Sequence, residues 1–352
     1  MPPRRLLALP TIALTAVLAL AGCAADPDAG ATGLVEVVAS TNVYGQIVEQ
    51  IGGDRVSVTS IIGTGAQDPH SYEATARDHL AVQRAQLVVE NGGGYDPFID
   101  SLLDAAGSDA IVITAVDFAP GWPGEGADDH SADDHATEDH SAEDHSADDH
   151  AATEDADDEH TGHGHVEGFN EHVWFDPATM ILLSKQIAAD LSVLDPAGAE
   201  EFSANTAELI TELEGVQGQL AAIAAEHAGE GVFLTEPLAG YLVDAADLVD
   251  VAPAGFAEAV EAGRDVSPSI LLASIRVIES GAARAVLLNG QTAGAETKRI
   301  MDAAATAGVP VVPFTETLPE SLEGNAGSTA GPTTYAEWMS DNVERLAAAL
   351  GA

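Results

Sequence analysis

Hydrophobic positions along this chain follow two rhythms that alternate. Residues 34–39 are apolar and β-branched and read as a strand. Residues 40–52 carry apolar side chains at helical spacing, with Ser40 or Thr41 as the cap. Residues 56–61, 86–90 and 110–114 read as three further strands. Short β-rich runs separated by helical patterns predict βαβ units, hence a mainly parallel sheet covered by helices.

The second half begins with a long helical stretch after Asp176-Pro177, broken once at Asp195-Pro196. Leu209, Leu213, Val216, Leu220 and Ile223 then recur at alternating spacings of four and three. That is one apolar stripe on a helix running to about His227. Strand patterns resume at residues 232–235, 285–289 and 309–314, and residues 335–350 form a last helix. The expected fold is α/β: two lobes, each a mainly parallel sheet flanked by helices, bridged by one long helix. Residues 34–196 would form the first lobe, 197–228 the linking helix and 229–352 the second lobe. A helical bridge in place of flexible loops predicts limited domain motion.

One segment, residues 127–167, fits neither rhythm. Five near-copies of a five-residue unit place His130, His135, His140, His145 and His150 in register, and His160, His163 and His165 follow. Eight of the twelve histidines of the chain lie here, among sixteen acids and no Lys or Arg. Imidazole and carboxylate are ligands of divalent transition metals, so the composition gathers metal. It is too polar to bury a core and is expected to be disordered. A spacing of five puts successive histidines on different helix faces. Several weak, exchanging sites are therefore expected, with any tight site elsewhere.

The N-terminus carries Arg4 and Arg5, an apolar run over 6–20, and Leu-Ala-Gly-Cys ending at Cys23. This is the layout of a secretory leader, residues 1–22. The string resembles the lipobox of bacterial lipoproteins, which implies lipidation of Cys23, a tether over 23–33, and anchoring on the extracytoplasmic face of the cytoplasmic membrane. Cys23 is the only cysteine, so no intramolecular disulfide and no thiolate metal site is expected in the body of the chain. A net charge of −46 and the absence of a basic patch argue against nucleic-acid binding.

Candidates for a tight site come from context. His70 follows a predicted strand end, in QDPHSYE, and His172 precedes a helix, in NEHVWFDP. His79 and His227 read as helix-surface or helix-end residues. In the second half Glu236 directly follows one predicted strand, and Asn289 and Gln291 follow another. Ligands of parallel α/β sheets bind beyond the carboxyl ends of the strands. These positions, drawn from both lobes, would converge on one inter-lobe cleft.

At these residues the chain resembles the zinc/manganese-binding solute-binding lipoproteins of bacterial ABC importers, the cluster A-I family. The resemblance runs from about residue 35 to 350, interrupted by the histidine-rich tract. It is carried by STNVYGQIVEQIGGD at 40–54, DPHSYEAT at 68–75, NEHVWFDP at 170–177, TEPLAGYL at 235–242 and VPVVPFTET at 309–317. It implies a metal-capturing protein and not an enzyme, monomeric, working with a membrane permease and its cytoplasmic ATPase. It further implies that His70 and His172 are two of the ligands. The third position is His in zinc binders and Glu in many manganese binders; here it is Glu236. Manganese members add an aspartate a few residues after a late strand. The stretch taken to correspond, residues 287–293, holds no acid, which leaves Gln291, or alternatively Asn289, as the fourth donor.

The histidine-rich insertion is typical of zinc members, whereas Glu236 resembles the manganese type. Two imidazoles, one carboxylate and a water or amide oxygen suit tetrahedral Zn²⁺. Mn²⁺ prefers more charged oxygens. Zn²⁺ is therefore the expected ion, with Mn²⁺ the alternative. A zinc hydrolase with Glu236 as base lacks a supporting motif such as HExxH. A surface zinc buffer or adhesin-like lipoprotein is the other alternative.

Overall fold

A computed structural model describes residues 33–64, 69–124, 166, 168–292, 294–319, 332 and 334–351. The leader, Cys23 and the tract histidines, His130 to His165, lie outside the described residues. So does nearly all of the unit Met1–Gly33.

In the second unit, from Leu34 onward, the first half builds β1 (Val35–Thr41), α1 (Asn42–Gly52), β2 (Val56–Ile62), α2 (Ala76–Arg84), β3 (Leu87–Glu90), α3 (Phe98–Ala106) and β4 (Ile111–Thr114). The four strands pair in parallel in the order β2-β1-β3-β4. After α4 (Pro177–Leu194) and α5 (Ala199–His227), a second set follows: β5 (Gly231–Leu234), α6 (Gly240–Ala245), β6 (Val249–Asp250), α7 (Ala257–Glu261), α8 (Pro268–Glu279), β7 (Val286–Asn289), α9 (Ala295–Ala307), β8 (Val311–Phe314) and α10 (Tyr335–Leu350). Its strands are also parallel, ordered β6-β5-β7-β8. The expected α/β architecture of two helix-flanked parallel sheets and a long helix is the one observed.

Two local expectations change. Ser40 and Thr41 also end β1 and α1 starts at Asn42; Thr41 is its N-cap, as one of the two expected, but makes no side-chain capping bond. The parallel pairing with β2, reaching Thr41↔Ile62, extends the strand past the point where residue types favour a cap. β6 has no counterpart in the sequence reading: it is two residues long and both are exposed, so it leaves no hydrophobic pattern.

The stripe on α5 is the buried face of that helix, joined by Phe202 and Thr206. It belongs to a continuous apolar core running from Val37 and Ile47 in the first half through Leu183 and Leu213 to Leu234, Leu287 and Trp338. The last helix also reaches back. The Tyr335 N–H donates to Gln46 Oε1 at 2.6 Å, and its hydroxyl to the Trp174 carbonyl at 2.5 Å. Asn42 exchanges hydrogen bonds with Leu318 at 3.0 Å in both directions. Shared core and reciprocal bonds make the two lobes one packed body.

Both sheet orders reverse direction next to their first strand, between β1 and β3 and between β5 and β7. Such a reversal opens a crevice beyond the strand ends.

A candidate metal centre between the lobes

His70 sits on a single 3-10 turn, Pro69–Ser71, after β2. Its ring meets the edge of Tyr95 at 5.0 Å between centroids. The turn is held from behind. The Tyr72 hydroxyl donates to Asp78 at 2.9 Å, and Asp78 forms a capping box with Thr75 at the start of α2. Tyr95 itself follows the turn from Asn91, where Gly92, Gly93 and Gly94 all have positive φ. Asp96 closes that turn by accepting from the Asn91 and Gly92 N–H groups at 2.7 and 2.8 Å. Burial pushes its carboxyl up to about 6 in spite of those bonds.

His172 is placed by the residues on either side of it. Val173, Trp174 and Phe175 form a buried 3-10 turn. Asp176 then caps α4, accepting from the Ala178 and Thr179 N–H groups at 3.1 Å, with Pro177 at the first helical position. On the other side Asn170 sets the ring chemistry. Its Nδ2 donates to the Pro237 carbonyl at 3.0 Å, which identifies its other atom as oxygen. That Oδ1 lies 2.7 Å from His172 Nδ1 and can only accept. Nδ1 therefore carries the proton, and Nε2 presents a lone pair. Such a bond to the far ring nitrogen is how metal-ligating histidines are oriented. Gly240 makes room for this bridge, since a Cβ there would meet Asn170 Nδ2 at 2.8 Å.

Glu236 follows β5 and is buried. Its carboxylate accepts from Asn289 Nδ2 at 2.6 Å and from the Thr292 hydroxyl. A second carboxylate stands beside it. Glu316, two residues beyond β8, accepts from the same Asn289 Nδ2 at 2.7 Å and from the Tyr95 hydroxyl at 3.2 Å. One amide thus holds two buried carboxylates together with its two N–H groups.

These side chains line one cavity of about 120 Å³, with Glu261, Ala262 and Gly263 from the end of α7. Burial, followed by repulsion from Glu171, Glu236 and Glu316, pushes the Glu261 carboxyl well above the ordinary carboxylate range. Its Oε1 is 3.5 Å from His172 Nε2. His70, Glu171 and His172 are the one trio among the described residues whose donor atoms all lie within 4.8 Å of one another. Glu171 thus stands close to both imidazoles and adds to the negative charge around Glu261. A largely buried pocket with two imidazoles and several carboxylates is costly to keep empty of positive charge. Its chemistry is that of a divalent-cation site.

The structure brings His70, His172 and Glu236 to this cavity and gives Asn289 and Gln291 different work. Asn289 donates both N–H groups to carboxylates, and its Oδ1 accepts from the Gln291 N–H at 3.0 Å. The Gln291 amide oxygen accepts from the Glu316 N–H, and its Nε2 donates to Thr317 at 3.1 Å. Gln291 supports the backbone that carries Glu316 and does not line the cavity. No acid follows β7 at the expected place; the further acid that lines the cavity, Glu316, follows β8. Its signal was an acid just past a predicted strand, the same signal that marked Glu236. Glu261 had no such signal, lying at the end of a five-residue helix.

The family model described as ZnuA, zinc-uptake complex component A, periplasmic, matches residues 37–349. The chain belongs to this family. Its members are metal-binding substrate-binding components of ABC transporters and not enzymes. Among curated relatives, the manganese-binding lipoprotein MntA of Halalkalibacterium halodurans is 26% identical over 207 residues. The zinc-binding lipoprotein AdcA of Streptococcus pneumoniae is 25% identical over 205 residues. Each match covers 58% of this chain, but 55% of MntA and 36% of AdcA. The fold is shared with the crystal structure of ZnuA, at a TM-score of 0.60 and 21% identity, covering 90% of this chain and 97% of that one. It is shared equally with the periplasmic zinc-binding protein TroA of Treponema pallidum, at 0.63 and 18%, covering 90% and 99%. No helix among the described residues is long and apolar enough to cross a membrane.

Proposed function

We propose that this protein captures a divalent transition-metal ion between its lobes and delivers it to an ABC permease, held at the membrane by a lipid on Cys23. The observation that carries the reading is the convergence of His70 and His172 from one lobe with Glu236 and Glu316 from the other on one buried cavity. All four are assigned as ligands. Two carboxylates neutralise a divalent charge, and two neutral imidazoles complete a four-donor set. Zn²⁺ is the favoured ion: it accepts this set as a tetrahedron, it outcompetes Mn²⁺ at a given nitrogen–oxygen site, and the histidine-rich tract is rich in imidazole. The tract is assigned the weaker role of gathering metal near the cleft.

A second reading, Mn²⁺ as cargo, gains support from Glu316, which makes the centre richer in oxygen than the sequence had suggested. Calorimetric titration of Zn²⁺ and Mn²⁺ into the chain without residues 127–167 tests both. One tight site that Zn²⁺ fills with higher affinity than Mn²⁺ is expected. Tighter Mn²⁺ binding would transfer the cargo to manganese, and no tight site would end the transport reading.

A further inference from the structure

Glu261 is the lining acid that no ligand assignment yet uses. It comes from the end of α7 and is 12% exposed. Its Oε1 is buried and has no hydrogen-bond partner among the described residues. Buried carboxylate oxygens without a partner are rare and call for an explanation. Across the cleft, His172 Nε2 lies 3.5 Å away.

That separation is informative. It exceeds the N–H···O range of about 2.7–3.2 Å. It matches two donors on one ion, since bonds of about 2.1 Å at a tetrahedral angle put their ends roughly 3.4 Å apart. Asn170 holds the proton of His172 on Nδ1, so Nε2 turns a lone pair toward the carboxylate oxygen. At 3.5 Å the two atoms are too far apart to bond each other directly and are spaced as two donors to one cation would be.

We propose that Glu261 is itself a ligand of the captured ion, a third carboxylate supplied by α7 in addition to Glu236 and Glu316. This rests on the reading of the cavity as a divalent-metal site. It adds a contact from the second lobe to the His172 side of the ion, so that capture fastens the segment 257–263 across the cleft. It also raises the donor count to five, with three charged oxygens. Mn²⁺ uses such a shell more fully than tetrahedral Zn²⁺ does. Glu261 therefore moderates the preference for zinc that the other four ligands would give.

The experiment uses the mature full-length chain, wild type and with Glu261→Ala, Glu261→Gln or Glu261→Cys. Mn²⁺ and Zn²⁺ affinities are measured by competition, and Co²⁺ serves as a spectroscopic probe. Glu261→Ala is expected to weaken Mn²⁺ binding by more than roughly tenfold, Zn²⁺ binding by less, and Glu261→Gln to fall between. In Glu261→Cys a thiolate-to-cobalt charge-transfer band is expected that the wild type lacks; a residue that merely shapes the cavity would not produce it. Unchanged affinities for both metals, or a Co²⁺ spectrum of the Cys variant like that of the wild type, would overturn the assignment. A wild type that binds no metal tightly would instead bring down the metal-site reading beneath it, so the two failures are distinguishable.

Discussion

The two halves of the candidate metal centre are built in opposite ways. In the first lobe each histidine is held by its sequence neighbours. His172 stands between Asn170, which fixes its tautomer, and a buried Val-Trp-Phe turn that leads into a capped helix. His70 rides on a turn anchored by Tyr72 and the Thr75–Asp78 capping box. In the second lobe the acids are held by distant partners. Glu236 and Glu316 are eighty residues apart in the chain and meet only because Asn289, at the end of the strand between them, donates to both. Local scaffolding positions a neutral ligand; two like charges need a shared donor from a third strand, because repulsion would otherwise separate them.

The contrast yields predictions of decreasing size. His172→Ala removes an imidazole donor from the proposed set, so metal affinity should fall by more than roughly 100-fold; calorimetry reads the loss, and a tenfold change or less would contradict the assignment.

Next in size is a stability effect confined to the first lobe. The Asp96 carboxyl is raised to about 6 in the folded chain, against an ordinary value near 3.8. The unfolded chain therefore releases this proton first, and stability from this group is full below about pH 4 and lost as pH rises to about 6. The difference amounts to about 2–3 kcal/mol. Urea unfolding of the metal-free protein at pH 4 and pH 7 should show that loss in the wild type, and a pH dependence smaller by that amount in Asp96→Asn.

Glu316→Gln keeps an oxygen but loses the charge, and should weaken binding by about 10- to 100-fold, whereas Gln291→Ala should change it by less. The reverse order would restore Gln291 as the fourth donor. Smallest of the set, Asn289→Ala should cost about tenfold, because it removes the bridge between the two carboxylates but neither carboxylate itself. A loss as large as that of His172→Ala would mean that Asn289 touches the ion directly.

The same contrast explains what could be read in advance. The strands, the α5 stripe from Leu209 to Ile223 and both histidine turns are written in local periodicity and capping residues, and each was visible. Glu236 was visible because it ends a clear strand. Asn289 and Gln291 were correctly placed near the site as strand-end residues, but their amides serve the carboxylates. Which side of an amide meets which partner depends on contacts with Glu236, Glu316 and Thr317, all at least 25 residues away. β6 and Glu261 gave no signal, since a two-residue strand and a five-residue helix are too short to set up a period.

By itself, then, the sequence determined the layer architecture, the two-lobed order and the two histidine turns of the candidate centre, because those follow from the burial of periodic apolar faces and from turns closed within a few residues. The tertiary structure decided which carboxylates share the cavity, which amides hold them, and that α7 brings Glu261 to 3.5 Å from His172. Those choices depend on how two sheets pack over one core, and charge–charge distances across a cleft leave no trace in the spacing of residues along a chain.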